Sequence, residues 1–205
     1  MKHQAHSPIV AAVTAVLILA SSAPARADRV TPPPVPGAIQ VPEENRAFLA
    51  GHAVGTQNYI CLPSGAAFAW VLFTPQATLF ADEDRQLTTH FFSPNPFEND
   101  LVRPAWQHSR DTSIVWGRLY VPASSDPDFV APGAIPWLLL KAAGAGAGPG
   151  GGDALTRTTF IHRVHTSGGV APATGCSSST DVGAKASVPY EADYYFYSAE
   201  DEAGE

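Results

Sequence analysis

Residues 188–197 alternate without a break. Val188, Tyr190, Ala192, Tyr194 and Phe196 fall on one side of an extended chain; Pro189, Glu191, Asp193, Tyr195 and Tyr197 fall on the other. A period of two marks a strand with one buried face. Related patterns recur from about residue 46 onward, and nothing after residue 27 shows a capped helical period. With 17 glycines and 19 prolines as punctuation, the chain reads as many short strands joined by turns.

Strands are expected over 48–54, 56–62, 67–73, 87–92, 113–121, 135–141, 156–166 and 188–197, with a shorter pairing segment at 77–80. Residues 67–73 and 113–121 are apolar on both faces, which predicts covered strands. Pro75 is expected to end the first of these. Pro63-Ser64-Gly65 and the charged run 82–85 read as turns. Residues 93–100, 124–132, the Gly/Ala-rich 142–152 and the Gly/Ser/Thr-rich 167–185 read as loops. Together these predict an all-β single domain, an antiparallel β-sandwich or barrel with long loops.

The N-terminus has the layout of a secretory signal peptide. Lys2, His3 and His6 give a weakly basic start, residues 9–20 are an apolar run of twelve, and Ala25-Arg26-Ala27 is a small-x-small cleavage site. Twelve apolar residues are too few to span a bilayer comfortably. No later run reaches membrane length, so no membrane span is expected after cleavage. The expected organisation is signal peptide 1–27, Pro-rich linker 28–42, β-rich domain 43–197 and acidic tail 198–205. The chain carries a net charge of −7, and cleavage after Ala27 removes Lys2 and Arg26 and no acid, which makes it −9. Nucleic acid is excluded as a partner, because phosphate contacts need clustered Lys and Arg.

Cys61 and Cys176 are the two cysteines. In an exported chain they most simply form one disulfide. Two reactive thiols are the alternative, but no C-x-x-C or thiolate-stabilising pattern accompanies them. Two cysteines cannot make a four-ligand zinc site alone.

Several motifs occur in a telling order. They are Gly55-Thr56-Gln57-x-Tyr59-x-Cys61, His90, Trp106, Asp111-x-Ser113, Ile135-Pro136-Trp137-Leu138-Leu139, Gly168-Gly169-x-Ala171-Pro172 with Cys176, and Val188-Pro189-Tyr190-x-Ala192-Asp193-Tyr194. In this order they resemble the secreted domain-of-unknown-function family 3455 of bacteria and fungi, over about residues 40–197. The resemblance implies export and one compact domain, and no established activity. The chain departs from the family at His162 and His165, where Gln and Asn are more usual.

Some members of that family carry a malate dehydrogenase label. Gly146-Ala147-Gly148-Pro149-Gly150-Gly151 matches G-x-G-x-x-G by letter. A dinucleotide site needs a helix behind that motif and an acid about twenty residues on. Here a strand follows and the acid is missing, so the segment reads as a flexible hairpin loop and a nicotinamide-dependent dehydrogenase is not expected.

Other constellations point to chemistry less directly. His162 and His165 are three apart, so on a regular strand they face opposite sides and cannot share an ion. His162 falls on the side of Phe160 and Val164 and reads as a packed histidine. No metal site and no cofactor is expected. His108 and Asp111 beside Ser113 are the raw material of nucleophilic catalysis, but Asp111 and Ser113 equally suit a turn cap. Glu191 and Asp193 share a strand face at about 7 Å, a spacing compatible with glycoside hydrolysis and equally with a solvated outer face.

The aromatic supply is more suggestive. Tyr59, Trp106, Trp116, Trp137, Tyr190, Tyr195 and Tyr197 could stack on sugars or apolar molecules, or fill the core. Trp106, beside the 93–104 loop, is the one expected to be exposed. The binding candidates are therefore His90, Trp106, His108 and Asp111. The expected function is an exported ligand-binding module for a small molecule or glycan. A secreted hydrolase or isomerase is the second reading, and a structural or protein-interaction role at the cell surface the third.

Overall fold

The computed structural model describes residues 30–81 and 85–200. The expected signal peptide, residues 82–84 of the charged turn and residues 201–205 of the tail lie outside them.

Eight antiparallel strands close into a barrel in chain order. They are β1 (Asn45–Ser64), β2 (Ala67–Phe80), β3 (Gln86–Asn95), β4 (Leu101–His108), β5 (Ile114–Leu119), β6 (Leu138–Gly146), β7 (Phe160–Gly168) and β8 (Lys185–Ala199). β1 and β8 seal the sheet, pairing from Asn45↔Ala199 to Ile60↔Lys185. Closure satisfies the backbone groups that a sheet edge would leave unpaired.

The β8 alternation is realised in full. Tyr190, Ala192, Tyr194 and Phe196 join Ala53, Leu79, Trp106, Val115, Leu140 and Ile161 in the inner core. A second cluster forms on the outside, where Trp137, Leu139, Phe160, Val164 and Tyr197 meet Val130 and Ile39. Ile39 belongs to the Pro-rich stretch and is fully buried, so this part of the chain packs on the barrel wall. Burying an isoleucine contributes about 2 kcal/mol. The Cys61–Cys176 disulfide, with Cα atoms 5.4 Å apart, fastens the loop after β7 to β1. Beside it the Trp70 indole donates to the Thr174 carbonyl at 3.0 Å.

Local differences from the sequence expectation have physical causes. The two strands expected before residue 63 are one, because Gly55 lies against β2 without breaking β1. A Cβ there would fall 2.1 Å from the Gln76 carbonyl oxygen. Pro75 does not end β2, since it sits beside a register shift opposite Asn58 and Tyr59, where a missing N–H is tolerated. Residues 67–73 are not doubly covered: Val71, Leu72 and Phe73 are exposed. β3 pairs with β2 only from Ala77 to Phe80, so the early part of β2 has β1 alone as its neighbour. The 93–100 loop shrinks to a turn around Pro96–Glu98, and β4, which the sequence reading did not resolve as a strand, begins at Leu101. β6 likewise runs on through the Gly/Ala stretch to Gly146.

Candidate functional site

Strands from around the barrel place polar and aromatic side chains in one end of its interior. Gln57 (β1), His90 (β3), Trp106 (β4), Arg163 (β7) and Tyr194 (β8) line a cavity of about 110 Å³, with Leu72, Phe92, Leu138 and Leu140 as apolar wall.

His90 and Trp106 are cross-strand partners. Their rings stack at 4.2 Å between centroids and 7° between planes. The edge of Tyr194 meets the Trp106 ring at 5.5 Å. His90 Nδ1 lies 2.9 Å from the Ala105 carbonyl oxygen. That acceptor fixes the proton on Nδ1 and leaves Nε2 as a lone-pair acceptor. Burial pushes the imidazole pKa down to about 3; the Ala105 bond opposes this and the Arg163 charge adds to it. The ring is therefore neutral at physiological pH.

Arg163 alternates inward with Ile161. Its Nη2 donates to the Pro136 carbonyl at 2.8 Å. Its Nε is buried without a protein acceptor, as are Gln57 Nε2 and Trp106 Nε1. Among the described residues, Arg163 has no carboxylate partner. The Tyr190 and Tyr194 hydroxyls lie 3.4 Å apart. Burial raises both phenol pKa values, and the Arg163 charge pulls both partly back.

Of the four sequence candidates, the structure brings His90 and Trp106 together on the cavity and leaves His108, at the end of β4, and Asp111, in the turn after it, off the cavity lining. Trp106 is not exposed; it is 1% accessible, because the strand it belongs to replaces the expected loop and turns the ring inward. Tyr59, Trp116, Trp137, Tyr190 and Tyr197 are buried as well.

Asp111 acts as a fastener. Oδ1 accepts from the Ser113 N–H at 2.9 Å and the Ser113 hydroxyl at 2.7 Å. Oδ2 accepts from the Ala154 N–H at 2.8 Å. The Ser113 oxygen accepts in turn from the Leu155 N–H at 3.1 Å, so fully buried Leu155 closes this end of the core. His108 Nδ1 stands 3.0 Å from Asp111 Oδ1. Burial pushes the Asp111 pKa up, but the donors from Ala154 and Ser113, with His108, outweigh it and hold it at about 2. Ser113 is thus a bridge in a turn, with no free base to activate it.

The glycine-rich stretch is strand as far as Gly146, and beyond it Gly148 and Gly152 pack on this fastener. A Cβ on Gly148 would stand 1.8 Å from the Asp111 carbonyl oxygen, and one on Gly152 would stand 2.2 Å from Asp111 Cβ. The glycines serve close backbone approach, not a phosphate cradle.

The outer face carries the remaining histidines. His162 Nδ1 meets the Tyr197 hydroxyl at 2.9 Å and Nε2 the Ile39 carbonyl at 2.6 Å, so both nitrogens are taken. A register shift between Val164 and Ser167, with His165 at φ 49°, breaks the regular alternation and turns His165 toward Trp137 on the outer cluster. His165 Nδ1 and His52 Nδ1 each lie 2.8 Å from one Asp193 oxygen. His52 Nε2 is 3.8 Å from Glu191. Glu191 and Asp193 therefore flank His52 on the exposed outer wall.

The sequence reading overlooked Arg163, Gln57 and Tyr194 as site residues. The signal for Arg163 was a charge in the middle of Phe160-Ile161-His162-Arg163-Val164, a run apolar on both sides, where the eye goes to the histidines.

Fold and site together define an all-β, eight-stranded barrel with a small donor-lined cavity. The chain belongs to the family described as protein of unknown function (DUF3455), whose match spans residues 81–198. The motifs at residues 55–61 lie ahead of that match. No curated protein and no solved structure matches the chain.

Proposed function

We propose that this protein is an exported binding module that holds a small molecule in the cavity between Arg163 and the His90–Trp106 stack. One observation carries the reading. Of six buried side-chain polar atoms without protein partners among the described residues, three, Arg163 Nε, Gln57 Nε2 and Trp106 Nε1, belong to side chains that line one cavity. Each unpaired buried donor costs about 1–3 kcal/mol, and their concentration at one place supports a ligand as the missing acceptor.

Binding is favoured over catalysis by the groups present. A histidine held near pKa 3 is a weak base at neutral pH, and Ser113 is committed to its turn. A small molecule is favoured over a glycan because the aromatic rings expected as platforms are mostly buried. Export is supported by the signal-like N-terminus and the disulfide.

The test is solution NMR of the oxidised protein, following the Trp106 indole N–H during titration with molecules of a few carbons, both neutral and charged. Saturable movement of that signal is the expected result. An indole signal that no member of the panel moves would overturn the reading.

A further inference from the structure

We infer that the cavity takes a small monocarboxylate, whose carboxylate pairs with Arg163 and whose apolar body lies against the leucine wall. This rests on the cavity being a binding site, as proposed above, and adds the chemical class of its occupant.

Charge comes first. Arg163 is the one charged side chain lining the cavity. Arg163 is half-buried, with its Nε withdrawn from water, and a partly desolvated guanidinium favours an anion beside it. The two acids on the neighbouring strand, Glu191 and Asp193, face the other side of the sheet and are engaged with His52 and His165. The fold thus turns a half-buried cation toward the cavity and directs its nearby carboxylates outward.

Donor count comes second. The Pro136 carbonyl holds Nη2 and so orients the guanidinium, while Nε keeps an unmatched N–H. Gln57 Nε2 and Trp106 Nε1 are donors too. Three donors on one lining suit a ligand group that accepts, and a carboxylate pairs with guanidinium through two parallel bonds. A phosphate dianion would call for a second cation, which the lining does not contain.

Size and shape come third. The volume of about 110 Å³ is below that of a cavity known to take benzene, about 150 Å³. The occupant is therefore smaller than a ring with a carboxylate: a short or branched aliphatic chain of a few carbons beyond its carboxylate. Leu72, Leu138 and Leu140 offer this body an apolar wall, and the His90–Trp106 stack offers a flat one.

The experiment compares isobutyrate with isobutanol, which keeps the branched chain and drops the charge. Both are titrated calorimetrically and by NMR into the disulfide-bonded protein at neutral pH. Isobutyrate is expected to bind at least tenfold more tightly and to shift the Trp106 indole signal. Arg163→Met should remove that preference, and Arg163→Lys should restore part of it. The wild-type comparison stands on its own if the Met variant does not fold. Isobutanol binding in the cavity as tightly as isobutyrate would overturn the carboxylate and leave the binding site standing. Isobutyrate binding without a Trp106 shift would overturn the carboxylate assignment to this cavity. If neither compound moves the indole signal, both readings fall.

Discussion

The imidazole of His90 lies flat on the indole of Trp106, 4.2 Å away, with its Nδ1 proton committed to the carbonyl of Ala105. The ring is held neutral, and this gives the fold a defined pH response. An unfolded histidine takes up its proton near pH 6.5, whereas His90 in the barrel does so only near 3. Between those values the unfolded chain binds more protons, so stability is full above about pH 6.5 and falls as the solution is acidified toward 3. The melting temperature is expected to drop from pH 6.5 to 4.5, and His90→Phe, which keeps a flat ring, should flatten that drop. His162, whose pKa burial also lowers, accounts for a residual slope. Parallel curves for the two proteins would clear His90 of the effect.

Asp111 acts in a lower window. Its carboxyl titrates near 2 in the fold against 3.8 unfolded. Its contribution is complete above about pH 4 and is lost as the pH falls through 2. Asp111→Ala should cost about 2–3 kcal/mol in urea unfolding, on the scale of a carboxylate losing several donors. Amide exchange at Ala154 and Leu155 should quicken. Binding at the Arg163 cavity should stay as it is, because neither Asp111 nor the groups it holds line that cavity. Unchanged exchange at those two amides would show that Asp111 is not the fastener.

The glycines over Asp111 make a paired test. Gly148→Ala forces a Cβ into the Asp111 backbone, while a methyl group added at Gly150 would meet no atom within 4 Å. The first substitution should destabilise by about 1–3 kcal/mol, and the second should stay within about 0.5 kcal/mol. Equal effects on thermal unfolding would remove the close-packing explanation.

The disulfide joins residues 115 apart. In the chain-entropy account a loop of that length contributes about 4–5 kcal/mol. Intact mass should reveal no alkylation before reduction and two alkylations after it. The Cys61→Ser, Cys176→Ser double variant should unfold at correspondingly lower denaturant. Thiols that alkylate without reductant would contradict the pairing.

Much of the barrel was legible because period two survives wherever one strand face is buried, as in Tyr190, Ala192, Tyr194 and Phe196. Legibility failed where local chemistry and tertiary packing disagree. Gly55 and Pro75 look like breakers, yet close approach to β2 and a register shift absorb them. The Gly/Ala stretch at 142–146 has little strand propensity of its own, and becomes strand because β5 supplies its hydrogen-bonding partner. At the site, His90 and Trp106 could be singled out by residue type, but their stacking is a matter of register between two strands. Arg163 carries the cavity's charge and was hidden between two histidines. His165 sits at a positive φ that alternation alone could not supply.

The seam between β1 and β8 has a consequence for how such a chain comes into being. The first strand made must wait for the last, since Asn45 pairs with Ala199 and Ile60 with Lys185. Until the final residues arrive, β1 has only its β2 hairpin partner and cannot complete the cylinder. Contacts so distant in sequence make for slow folding. Cys61 and Cys176 sit on the two sides of that same late closure, Cys61 in β1 and Cys176 just ahead of β8. Their oxidation is thus a natural clock: trapping free thiols at intervals after synthesis would report, chain by chain, the moment the cylinder shuts.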